Sequence, residues 1–143
     1  MSTESVHSGG QQQEKEAVPV DDQSLYANVF SFLGFPLRRD LRENHALPGA
    51  VVMGIPYDLG TTGRAGARSG PMAIRQASAH LRWENKRWPW EFALRDRLDC
   101  IDYGDIQFST GDSEDCLKQV TQHASSIVAA GKTLLSLGGD HLV

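Results

Sequence analysis

The sequence predicts a layered α/β fold with a parallel central sheet, and three observations predict it. Short apolar runs at 50–55, 98–103 and 133–137 have the length of strands rather than helices. The stretches between them carry apolar residues at helical spacing, and each run exits into Gly, Pro or Asp. An order of strand, helix, strand, helix, strand closes two right-handed crossovers, which makes the strands parallel and places helices on the faces of the sheet.

Taken in order, residues 1–23 hold Gly9, Gly10, a run from Gln11 to Gln13, and Glu14, Lys15 and Glu16, with little apolar surface to offset the entropy of ordering, so a disordered tail is expected. An amino-terminal extension follows at 24–49. Its Tyr26, Val29, Phe30, Phe32, Leu33 and Phe35 must pack on something, either this chain's own domain or another subunit. Residues 38–48 read as a polar connector within it.

The domain proper spans 50–143 and starts with a strand from Ala50 to Ile55, closed by Pro56, which has no N–H to continue a central ladder. The loop 57–70, with Gly60, Gly63, Gly66 and Gly70 among Arg64, Arg68 and Ser69, meets neither the Walker nor the dinucleotide pattern. It is either the flexible wall of an active site or a plain surface loop. Pro71 opens a helix that reaches residue 83 or 84, with Ile74, Ala77, Ser78 and Leu81 on one face. Trp83, Trp88, Pro89, Trp90 and Phe92 form an aromatic patch, expected in the core or against a subunit.

The second strand, Leu98 to Tyr103, is interrupted by Asp99 and Asp102 and ends in Gly104-Asp105. Asp112 has the position of a helix N-cap, with Glu114 and Asp115 complementing the helix dipole behind it. Leu117, Val120, Ala124, Ile127 and Val128 lie on one stripe of that helix, and Gly131 stands where a left-handed residue ends it. His123 is read as a surface or boundary histidine. The third strand is the run from Thr133 to Leu137.

A formal charge of -4 argues against nucleic acid as a partner. The arginines that crowd one half, at 64, 68, 75, 82, 87, 95 and 97, are read as a solvated or interface-forming face. Two cysteines, Cys100 and Cys116, make neither a disulfide framework nor a zinc pattern and suit a reducing compartment. No apolar run approaches the roughly 20 residues that cross a bilayer, and the amino terminus lacks a signal-peptide pattern. A cytoplasmic protein that contacts no membrane is expected.

Chemistry is expected at the end of the third strand, because ligands gather at the carboxyl edge of open α/β sheets. There Gly138 and Gly139 allow a sharp turn and close backbone approach, and Asp140 and His141 follow. His141 is the candidate metal ligand, and a lone imidazole needs companions. Asp58 and Asp105 lie at the same edge, with their roles, like that of Asp140, left open; capping or turn formation is the default for such an aspartate.

Together, Gly54-Ile55-Pro56-Tyr57-Asp58, the run from Gly63 to Pro71 with Ile74-Arg75, Gly104-Asp105, and Gly138-Gly139-Asp140-His141 resemble the ureohydrolase family, and its agmatinase branch in particular. The likeness runs from about Tyr26 to Val143 and takes in Phe32-Leu33 and Trp88-Pro89-Trp90. It implies a three-layer α/β/α arginase-like fold with only the first three strands of the parallel sheet present. It also implies manganese-dependent hydrolysis of agmatine to putrescine and urea, with two Mn²⁺ ions in the complete site and a homo-oligomer when complete. Metal ions suit that chemistry because they make a nucleophile of water at neutral pH beside a poor electrophile.

Carried over residue by residue, the resemblance makes His141 one of the metal ligands. The family's other ligands come from an Asp-Ala-His-x-Asp stretch and a later aspartate pair, and neither occurs in these 143 residues. An amino-terminal portion that is inactive alone is therefore expected, since manganese sits at the weak end of the divalent series and needs several ligands. Two other readings stay open: an interaction module that docks through the last strand and the aromatic patch, and a ureohydrolase for another guanidino substrate.

Overall fold

The computed structural model describes residues 29–41, 49–84, 86 and 88–142. The expected tail at 1–23, Tyr26 in the extension and residues 42–48 of the connector lie outside them. Strands β1 (Gly49–Gly54), β2 (Asp99–Asp105) and β3 (Thr133–Leu137) form one parallel sheet in the order β2-β1-β3. Helix α1 (Gly70–Ser78) lies between β1 and β2, and α2 (Ser113–Ala129) between β2 and β3.

The central position of β1 explains its sequence. With partners on both edges and a helical layer on each face, Val51, Val52 and Met53 are all buried, so the strand reads as a continuous apolar run without alternation. Val51, Met53, Ile101 and Tyr103 join Cys116 and Ile127 of α2 in a single core cluster. Side chains alternate along a strand, so Asp102 faces the opposite layer, where its carboxylate meets Arg75 of α1.

The extension packs on its own domain. Phe35 is buried, the Phe32 N–H donates to Asp102 Oδ2 at 2.7 Å, and the Leu33 N–H donates to Ser78 Oγ at 2.9 Å. The outer edge of β2 is covered as well, because Asp102 N–H donates to the Pro36 carbonyl (2.9 Å) and Arg38 N–H to the Asp102 carbonyl (3.0 Å).

Helix α1 is rotated from the face expected of it, whereas α2 keeps Val120, Ala124 and Ile127 of its expected stripe inward. In α1 the buried residues are Pro71, Arg75 and Ser78, while Ile74 and Ala77 are exposed. The reason is electrostatic: a buried carboxylate on β2 needs a cation, and Arg75 turns inward to supply it. The helix ends at Ser78 and tightens into a 3₁₀ turn at Ala79–Trp83. In α2 the buried positions are Cys116 and Ile127 with Val120 partly buried, and Leu117 and Val128 face outward. Its caps are as expected: Asp112 accepts from the Asp115 N–H at 2.9 Å, and Gly131 takes φ 71.

The aromatic patch is not core, because Trp88 is 91% exposed and Trp90 is exposed too. Cys100 and Cys116 are free and buried, and burial raises both thiols above their usual range. No helix among the described residues is long and apolar enough to cross a membrane.

Among the described residues β3 has no partner on its outer edge, and Leu135 on it is 46% exposed. Its five residues carry no charge and no proline, the devices that normally keep a bare edge from pairing with another chain. The 143-residue chain is therefore expected to self-associate through β3. In analytical ultracentrifugation Leu135→Lys should shift the distribution toward monomer, and an unchanged distribution would mean that another surface drives association.

Candidate functional site

Local backbone geometry places four aspartates at or near the carboxyl edge of the sheet. In β2 the register against β1 slips between Val52 and Met53, so that Val52 faces Asp102 but Met53 faces Gly104. This bulge, with Gly104 at φ 78, inserts one residue into the alternation. Asp102 and Asp105, three apart, would point to opposite faces of a regular strand. With the extra residue they both turn to Arg75.

Arg75 donates from Nε and Nη2 to the two oxygens of Asp102 (2.7 and 2.9 Å) and from Nη1 to Asp105 Oδ1 (2.6 Å). Asp102 is fully buried and also accepts from the Phe32 and Gly104 N–H groups. Burial pushes the Asp102 carboxyl up, but Arg75 and those two N–H groups outweigh it and hold the group below its usual range. Burial likewise opposes charge on Arg75, and the two carboxylates raise it nonetheless.

The loop 57–70 is held at both ends of its first half. Asp58 accepts from Arg68 Nε (2.7 Å) and Nη2 (2.6 Å) and from the Gly66 N–H (2.8 Å). The Arg68 bond is the main cause that pulls the Asp58 carboxyl down to about 2, against an opposing push from burial. Asp140 Oδ2 accepts from the Gly60 N–H at 2.7 Å and Oδ1 from the Leu142 N–H at 2.9 Å. The loop is thus tied down at Asp58 and at Gly60 rather than flexible.

A group held lower in the folded than in the unfolded chain stabilises the fold above its unfolded value, near pH 4, and loses that contribution as pH falls through its folded value. For Asp58 the window therefore runs from about pH 4 down to about pH 2. The Gly66 amide should stay protected from exchange at pH 5 and lose protection progressively through that window. Loss of protection already complete at pH 4 would contradict the pairing.

A cleft of about 410 Å³ opens beside this loop, lined by Tyr57, Asp58, Arg68, Ile106, Phe108 and Thr110 among others. His141 is not part of its lining. It lies beyond the end of β3 and is exposed. The turn that carries it is bonded to the segment that follows β1: Gly139 N–H donates to the Ile55 carbonyl (3.2 Å) and Asp140 N–H to the Tyr57 carbonyl (2.9 Å).

Sequence reading missed the Arg75–Asp102–Asp105 group and the Asp58–Arg68 pair, and counted both arginines as part of a solvated or interface-forming face. Arg75 is 3% exposed, which corrects that view for this residue. The available signal was Asp102 in mid-strand, since an acid among Cys100, Ile101 and Tyr103 demands a buried partner. His123 is a boundary residue, with Nδ1 3.0 Å from the Tyr103 hydroxyl; burial, then Arg39, lowers its pKa.

The donor set decides what metal the described residues could hold. No three His, Cys, Asp or Glu side chains among them converge as a metal site. Asp102 and Asp58 are fully engaged in internal bonds, and both Asp140 oxygens accept backbone N–H groups. These residues fit a metal centre as one imidazole donor, His141, and do not fit a complete two-ion site.

Comparison with known proteins agrees with this geometry. A family model described as "Arginase family" matches residues 48–143, through the His141 turn. The agmatinase of Serratia proteamaculans is 50% identical over 122 residues, which is 85% of this chain and 39% of that protein. An agmatinase of Neisseria meningitidis serogroup C is 49% identical over the same length and shares. The chain thus spans 39% of the length of these curated relatives.

Among solved structures, a hypothetical agmatinase from Burkholderia thailandensis matches with TM-score 0.72 and 41% identity, over 82% of this chain and 36% of that one. Proclavaminate amidino hydrolase from Streptomyces clavuligerus matches with TM-score 0.67 and 31% identity, over 82% of this chain and 37% of that one. The parallel three-stranded sheet, the helices on its faces and the match over two thirds of the residues lead to one conclusion: this chain belongs to the arginase family.

Proposed function

We propose that the chain carries part of the site of an agmatinase-type ureohydrolase that hydrolyses agmatine to putrescine and urea with manganese, and that His141 is one of the metal ligands. The observation that carries this reading is the family match running through the Gly138-Gly139-Asp140-His141 turn at the carboxyl edge, beside 49–50% identity to agmatinases. When bound, two Mn²⁺ ions would supply activated water and charge stabilisation. The chain's own residues hold the His141 turn against the loop 57–70 and wall the adjoining cleft. With His141 the single proposed donor among the described residues, the chain alone is expected to release no urea.

The test supplies the missing donors. The 143-residue chain is co-expressed with the carboxyl-terminal remainder of the Serratia relative, and urea release from agmatine is followed with Mn²⁺ present. Urea from the pair, none from either part alone, and loss of urea with His141→Ala would support the reading. A soluble complex that releases no urea from any guanidino compound would defeat it. The likeness to proclavaminate amidino hydrolase favours a second reading, in which the substrate is a different guanidino compound; urea from that class but not from agmatine would select it. Oligomeric assembly and a cytoplasmic location belong to the same proposal.

A further inference from the structure

We propose that Asp140 is the positioning residue for His141, acting by clamping the turn that carries it to the loop 57–70. This deepens the reading of His141 as a metal ligand and rests on it for its functional meaning. Asp140 precedes His141 in the chain, and its two carboxylate oxygens serve different segments. Oδ1 accepts from the Leu142 N–H at 2.9 Å, which closes a local turn around His141. Oδ2 accepts from the Gly60 N–H at 2.7 Å, eighty residues away in sequence.

A local turn alone would need only the first bond. The second makes the orientation of His141 depend on the loop that walls the cleft, and two further bonds complete the hold: Gly139 N–H to the Ile55 carbonyl and Asp140 N–H to the Tyr57 carbonyl. The loop is in turn fixed from its far side by Asp58, through Gly66 and Arg68. The imidazole is thereby carried on a turn held through the N–H groups of Gly139, Asp140 and Leu142, although the residue itself is exposed. Preorganisation of this kind is what a ligand to a weakly binding cation requires, since a mobile donor loses entropy on binding. Asp140 performs it through two backbone bonds, one from each oxygen.

The experiment is amide hydrogen exchange by mass spectrometry on the full 143-residue chain at micromolar concentration, combined with carbethoxylation of His141 by diethylpyrocarbonate. Asp140→Ala should speed exchange about tenfold or more at both Gly60 and Leu142 and alter the modification rate of His141. Asp140→Asn, which has the same shape but one acceptor oxygen, should lose protection at one of the two amides and keep the other. This second variant keeps the proposal decidable should the alanine variant unfold, which would appear as faster exchange throughout. With Asp140→Ala, acceleration at Leu142 alone would reduce Asp140 to a local cap and overturn the proposal, and unchanged exchange at both amides in either variant would overturn it too. Millimolar Mn²⁺ on the unmodified chain co-expressed with the carboxyl-terminal remainder of the Serratia relative, which supplies the other donors, provides the separate arm. Slowed carbethoxylation of His141 supports its role as a ligand, and no slowing removes that role while the exchange data still decide the clamp.

Discussion

Arg75→Met is expected to destabilise the folded chain by about 3–5 kcal/mol, the usual cost of removing one partner from a buried ion pair. The size of the effect follows from what is left behind. Asp102 is fully buried, loses two of its four hydrogen bonds, and faces Asp105 across a site that no longer holds a cation. Methionine fills much of the volume but neutralises nothing. For a chain whose total stability is of the order of 5–15 kcal/mol, this removes a large fraction. A urea titration at micromolar concentration should show a markedly lower midpoint or a loss of cooperativity. The double variant Arg75→Met with Asp102→Leu should recover much of the loss, because an apolar pair leaves no buried charge without a partner. A single variant as stable as the parent would mean that Asp102 is solvated or protonated, contrary to its depressed pKa.

Gly139→Ala is expected to be the second severe substitution, costing about 3 kcal/mol from overpacking together with lost hydrogen bonds. An added Cβ would sit 1.8 Å from the Tyr57 carbonyl oxygen and within 3 Å of the Tyr57 N and C atoms, so it meets backbone and no rotamer can relieve it. The turn would have to lift away from the segment that follows β1, breaking the bonds from Gly139 N–H to Ile55 and from Asp140 N–H to Tyr57. Gly63→Ala is the control, since a Cβ there meets nothing within 4 Å. Amide exchange of residues 138–142 should accelerate strongly in the first variant and hardly in the second. Equal behaviour of the two would show that the close approach at Gly139 does not exist in solution.

The β1 run and the stripe of α2 reveal how far the sequence was legible. Val51, Val52 and Met53 announced a buried parallel strand because burial on both faces leaves no polar position, and the strand is indeed central. Asp112 and Gly131 marked the ends of α2 because capping depends on neighbours in sequence. The face of α1, and the margin of the α2 stripe at Leu117 and Val128, were misread for the complementary reason. Ile74 and Leu117 fit an apolar period, but which side of a helix turns inward is settled by what the sheet presents to it. For α1 that was a carboxylate.

The candidate site divides in the same way. Gly138-Gly139-Asp140-His141 was visible as a strand exit at the carboxyl edge, and its likeness to the ureohydrolases pointed to the family that the comparisons then showed. The partnership of Asp140 with Gly60, eighty residues away, was not visible, and neither was that of Arg75 with Asp102 and Asp105.

By itself the sequence determined the order of strands and helices, the caps of α2 and the residue types at the carboxyl edge, since these depend on local propensity, periodicity and residue type. Only the tertiary structure decided which aspartates are engaged. The one-residue bulge at Gly104 reverses the facing of Asp105, and chain crossing brings Gly60 within hydrogen-bond reach of Asp140. Both effects arise from register and from contact between segments distant in sequence, quantities that no local pattern encodes.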